Sequence, residues 1–206
     1  MGRPLGVPND AAFQRRVLLA ALDLLAAPAG PVLADYAEDA PQVSEDETAG
    51  FACPVSFAQP ALETGLAGAV QQEVAALAPW YELTKRDRGR SVATLSGLGA
   101  GGAAKFLTDF IADPQSPVYR EGISLELALR LAVQDIRAYY IESVAAQPGA
   151  RAALDARNWF YRETAAGQML FKLRDVCLGS QNDIVRTYGG KGLIPLAIGP
   201  RPAEWS

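Results

Sequence analysis

A chain of 206 residues and 21.9 kDa, half hydrophobic and 20% charged, has apolar surface enough for one ordinary core, which excludes wholesale disorder. The formal charge of −4 leaves no surplus of Lys and Arg for phosphate contacts, so no nucleic-acid partner is expected. Histidine is absent. Its absence removes Ser-His-Asp and Cys-His catalytic groups, His-ligated zinc, proximal-His haem and Glu-x-x-His di-iron sites.

At the N-terminus a turn-rich Arg3-Pro-Leu-Gly-Val-Pro leads to Asn9 and Asp10, either of which can cap a helix over residues 10–27. Phe13, Val17, Ala21, Leu24 and Leu25 recur at helical spacing, and Pro28, Gly30 and Pro31 end the pattern. Arg15 and Arg16 ahead of apolar residues 17–27 resemble a signal-peptide start, but Asp23 interrupts the run and the cap residues fit a helix instead. No run of about 18 uncharged apolar residues appears, so no membrane association is expected and the cytoplasm is the expected location. From Asp35 to Gly50, six carboxylates (Asp35, Glu38, Asp39, Glu45, Asp46, Glu47) occur without Lys or Arg. Their mutual repulsion predicts a solvated linker, with an acidic strap on a basic partner as the alternative. Residues 1–50 thus read as an arm and linker, and 51–206 as a body.

The body reads as helical, favoured by the 37 alanines of the chain. After a loop from Phe51 to Phe57, an Ala- and Leu-rich helix is expected over 61–78, where Pro79 forces a kink or a new start. The basic turn Lys85-Arg86-Asp87-Arg88-Gly89-Arg90 suits an exposed helix end, with a nucleic-acid patch as the alternative. Ser91–Ser96 reads as a strand, and a third helix spans about 103–112. Ser124 caps a fourth, with Leu125, Leu129, Ala132, Val133, Ile136, Tyr140 and Val144 on its stripe. The fifth and longest is expected from about Ala152 to Cys177, closed by Gly179. After a short piece near 182–188, Gly189-Gly190-Lys191-Gly192 opens a tail, Leu193–Ile198, whose Pro195 permits only an edge strand or an extended docking segment. The fold class is therefore mainly α: a bundle of about five helices with a helical arm and an extended tail.

Two constellations carry chemistry. Gly97, Gly99 and Gly102 fit G-x-G-x-x-G between the expected strand and a helix, the order that brings backbone amides to a pyrophosphate. The second strand and acidic residue of a dinucleotide fold do not follow, because Pro114–Gly122 is turn-rich. A loop wedged against neighbouring helices is the alternative, and no other cofactor is assigned. The second constellation is Glu73, Asp135, Tyr139, Glu142 and Glu163, all in segments with apolar neighbours. Asp135 and Glu142 lie seven apart, two turns along one helix face. Converging carboxylates bind a hard cation or hold a proton at raised pKa. The favoured reading of the same residues is structural ion pairs with Arg130, Arg137 and Arg162, since carboxylates at helix rims are the norm. Tyr139, Tyr140, Trp159, Phe160 and Tyr161 are core or the lining of a ligand pocket. Cys53 and Cys177 are far apart, outside any C-x-x-C pattern, and read as reduced thiols.

The stretch Arg3-Pro-Leu-Gly-Val-Pro-Asn-Asp-Ala-Ala-Phe-Gln-Arg-Arg-Val-Leu-Leu-Ala-Ala-Leu-Asp-Leu-Leu, with Gly30-Pro-Val-Leu, resembles a segment near the C-terminus of proteins related to selenoprotein B of the glycine/sarcosine/betaine reductases. That family implies reductive cleavage of a carbon–nitrogen bond by a selenol or thiol pair. Its redox motif has no counterpart at Cys53 or Cys177, so no catalytic residue carries over. The resemblance implies an association element at residues 1–34. The resulting expectation is a small soluble accessory subunit that docks on a larger, reductase-like protein or self-associates, through arm and tail. The alternative is a helical enzyme or metal-binding protein using the carboxylate and tyrosine group.

Overall fold

The computed structural model describes residues 5–6, 10–39, 65–147 and 153–200. Chain contacts divide the protein into two compact units, Met1–Ala49 and Gly50–Ser206. Every regular element among the described residues is helical.

In the first unit, Asp10 accepts a hydrogen bond from the Phe13 amide at 3.0 Å and starts α1 (Ala11–Asp23). The helix stops four residues short of the expected end and tightens into a single turn over Leu24–Ala26. Phe13 is its one buried side chain, met edge-on by Tyr36 at 6.3 Å. Arg16 pairs with Glu38 at 2.5 Å, and Tyr36 also donates to Glu38. One carboxylate of the acidic stretch therefore has a basic partner on the helix. Both members of the pair are half exposed, so solvent screens it and it adds little to stability. Glu45, Asp46 and Glu47 lie outside the described residues, as do Cys53 and the loop after Phe51.

The second unit consists of α2 (Gly65–Arg88), α3 (Gly99–Ala112), α4 (Leu125–Ala145), α5 (Ala153–Glu163), α6 (Ala165–Leu178) and α7 (Asp183–Lys191). With α1 that makes seven helices among the described residues, two more than expected. Helix α4 is the hub and packs on α2, α3, α5 and α7. Its stripe from Leu129 to Tyr140 meets Leu77, Leu107, Phe110, Phe160 and Leu170 in one apolar core.

Five departures from the sequence pattern have local causes. Helix α2 runs through Pro79, which sits on the exposed face together with Ala75, the residue whose carbonyl it leaves without a helical partner. Helix α3 starts at Gly99, four residues early. Ser91–Ser96 is a loop, not a strand, because its amides are taken by side chains of α4. The expected long fifth helix breaks at Thr164, whose extended backbone separates α5 from α6 and whose hydroxyl accepts from the Gly167 amide. Finally, α7 continues through Gly189 and Gly190, and the tail is neither strand nor free: it makes a turn at Leu196–Ile198. Arg137 donates to the Leu193 carbonyl and Arg162 to the Ile198 carbonyl, while both aliphatic side chains are buried.

At the α5–α6 break the chain crosses itself closely. A Cβ on Gly167 would strike the Phe160 carbonyl oxygen and lie 2.9 Å from the Tyr161 carbonyl. The obstacle is backbone rather than a movable side chain, so Gly167→Ala is expected to lose about 2–4 kcal/mol in urea unfolding. A loss under about 0.5 kcal/mol contradicts the close crossing.

Candidate functional site

Three of the four proposed carboxylates are buried, and each is met by main-chain amides from a segment far away in sequence. Asp135, fully buried on α4, accepts from the amides of Leu95 at 2.8 Å and Ser96 at 3.0 Å, and from the Ser96 hydroxyl at 2.5 Å. Two turns further along α4, Glu142 accepts from the Ser91 hydroxyl at 2.6 Å and the Val92 amide at 3.0 Å. The seven-residue spacing thus places both on one face, and that face holds the loop between α2 and α3. The loop's serines complete the arrangement. Ser91 Oγ accepts from Tyr81 at 2.8 Å and from the Ala93 amide at 3.0 Å, while Ser96 Oγ accepts from the Leu98 amide at 3.1 Å. Thr84 donates to the Glu142 carbonyl at 2.6 Å, tying α2 to the same turn.

Glu73 on α2 does the same for a helix start. One carboxylate oxygen accepts from the Ala165 amide at 2.7 Å, the other from Ala166 at 3.1 Å and from Tyr140 Oη at 2.8 Å. These amides belong to the first turn of α6, where no helical carbonyl is available to them. A side chain of another helix, together with Thr164, caps α6. Burial raises the Glu73 carboxyl above its ordinary value, against the three donors that favour the charged form.

The remaining candidates separate. Tyr139 donates to the Val74 carbonyl at 2.7 Å and stacks on Tyr81 at 4.6 Å, and burial pushes its phenol up to about 12. Glu163, the last residue of α5, is exposed and joins no carboxylate group. The expected ion pairs with Arg130, Arg137 and Arg162 are not what holds Asp135 and Glu142. Arg130 pairs with Glu126 at 2.5 Å, and the other two hold the tail. Among the described residues, no three metal-ligating side chains converge. The aromatic group is core: Tyr140 packs against Phe160 at 5.2 Å and Trp159 at 6.1 Å, all buried. Cys177 is buried, its thiol raised to about 12 by desolvation, which leaves little thiolate for reaction.

Gly97 and Gly99 have positive φ, +79° and +67°, and open α3. The preceding segment is the stapled loop, so the strand–glycine–helix order of a dinucleotide site is missing. Gly102 faces Leu98, and Gln71 donates to the Gly101 carbonyl at 2.9 Å, which wedges this start against α2. The sequence reading missed Ser91, Ser96 and Tyr81 as partners of the acids. Two serines bracketing a loop beside a helix with acids seven apart was the available signal. No helix among the described residues is long and apolar enough to cross a membrane. No family model, curated protein or solved structure matches the chain.

Replacing Asp135 with Ala leaves two amides and a hydroxyl without their acceptor, and the expected loss is about 2–4 kcal/mol of unfolding free energy. A loss below about 1 kcal/mol contradicts the staple. For Glu73, a carboxyl raised in the folded state contributes most stability below its unfolded value and loses it as pH rises toward the folded value. The unfolding free energy of the native chain minus that of Glu73→Gln is therefore expected to fall as pH rises above about 4.5. A flat or rising difference contradicts the dominance of burial.

Proposed function

We propose that the chain is a small accessory subunit that docks on a larger protein through its N-terminal unit, with the helical body as a rigid scaffold. The observation that carries this reading is the apolar face of α1. The helix buries Phe13 alone and leaves Leu18, Leu19 and Leu22 in water, the last 59% exposed, and Leu25 in the turn that follows is 82% exposed. The i, i+1, i+4 spacing of the three helical leucines fits a helix that lays one face into a partner's groove, and Leu25 extends that surface past the helix end. Leu33, exposed in the same unit, adds to the apolar surface. The resemblance of this segment to selenoprotein B-related reductases makes a protein of that class the partner to test.

The carboxylate geometry supports the scaffold half of the reading. Glu73, Asp135 and Glu142 each hold main chain in place, and Tyr139 and Tyr140 are bonded to carbonyl and carboxylate oxygens of the protein itself. In the tail, Leu193 and Ile198 anchor to the body and Leu196 stays outside, so the arm is the stronger docking element.

Co-expression with the products of adjacent reading frames, followed by light scattering, tests the proposal. A hetero-complex is expected, and Leu22→Glu is expected to abolish it while moving the Tm by no more than about 2 °C, because the side chain is exposed. A chain that remains alone beside every neighbour overturns it.

A further inference from the structure

Asp135 and Glu142 hold the Ser91–Leu98 loop by its backbone, and the consequence lies on the other side of that loop. With the amides of Val92 and Leu95 turned into the carboxylates, the two side chains stand in water, 61% and 53% exposed. A loop that presents two aliphatic side chains on a fixed main chain loses little further conformational entropy when something binds it. Directly before it in the chain, the last turns of α2 and the residues after it carry Lys85, Arg86, Arg88 and Arg90 against two acids, Glu82 and Asp87, all exposed. Lys85 lies 3.9 Å from Glu82 and Arg86 3.5 Å from Asp87, whereas Arg88 and Arg90 meet no carboxylate among the described residues. Beside them, a shallow groove of about 450 Å³ is lined by Pro79, Trp80, Glu82, Leu83 and Arg86.

We infer that the end of α2 and the stapled loop form a second docking surface, whose occupant is an acidic segment of another protein carrying aliphatic anchors. The charge surplus selects carboxylates and speeds encounter. Val92 and Leu95 supply the apolar contacts that charge alone does not provide. The surface belongs wholly to the second unit and stands independently of docking through α1.

The probe is a short acetylated peptide of leucine pairs separated by glutamates, titrated into the isotope-labelled full chain at low salt and followed by amide chemical shifts. Shifts are expected at Ser91–Leu98 and at Arg88 and Arg90. The double variants Arg88→Glu/Arg90→Glu and Val92→Ser/Leu95→Ser are each expected to weaken binding about tenfold. Both leave the carboxylate–amide contacts in place, so an unchanged melting temperature separates lost docking from lost folding. Polyglutamate binding as tightly as the peptide, a DNA duplex binding more tightly, or an unshifted loop at millimolar peptide overturns the inference.

Discussion

The second unit depends on buried carboxylates that accept main-chain amides from segments far off in sequence. An ionised side chain inside a protein needs donors, and an amide outside regular structure needs an acceptor. Here the two requirements answer each other. Glu73 reaches 92 residues along the chain to the start of α6, and Asp135 and Glu142 reach back 40 and 50 residues to the loop before α3. These bonds form away from bulk water, where a hydrogen bond is electrostatically stronger and an unmet donor costs more. Glu73 joins α2 to α6 and, through Tyr140, to α4, while Asp135 and Glu142 tie α4 to the loop between α2 and α3.

This accounts for a body rich in acids, tyrosines and buried polar groups whose chemistry is turned inward. A general acid or base must reach a substrate proton, and a metal site needs converging ligands. Asp135 instead faces two amides and a hydroxyl, and Glu73 faces two amides and a phenol. Facing outward instead are leucines of the N-terminal unit, Val92 and Leu95 on the stapled loop and cations around the end of α2.

Much of the fold was legible in the sequence because helices announce themselves locally. Ser124 caps α4 as its position suggested, and the stripe from Leu129 to Val144 is buried. The pairing of Asp135 with Glu142 on one face also followed from spacing alone. Their partners did not, because a backbone amide is the same in every residue and leaves no mark in the sequence. Thr164 was hidden for a related reason: Ala165-Ala166 continue a helical pattern, and only the tertiary contact with Glu73 makes a break there favourable. Glu163, next to it, shows the limit of position as a guide, since it stands in water although Thr164 beside it is buried. Pro79 was legible as a disturbance, but its effect depended on which face it occupied.

The most direct test of the staples is amide hydrogen exchange on the unmodified chain at neutral pH. The amides of Val92, Leu95, Ser96, Ala165 and Ala166 lie outside helical hydrogen bonding, yet are expected to exchange as slowly as those in the middle of α4. Exchange at the rate of an open loop, with α4 protected, would contradict the claim that buried carboxylates hold this structure together.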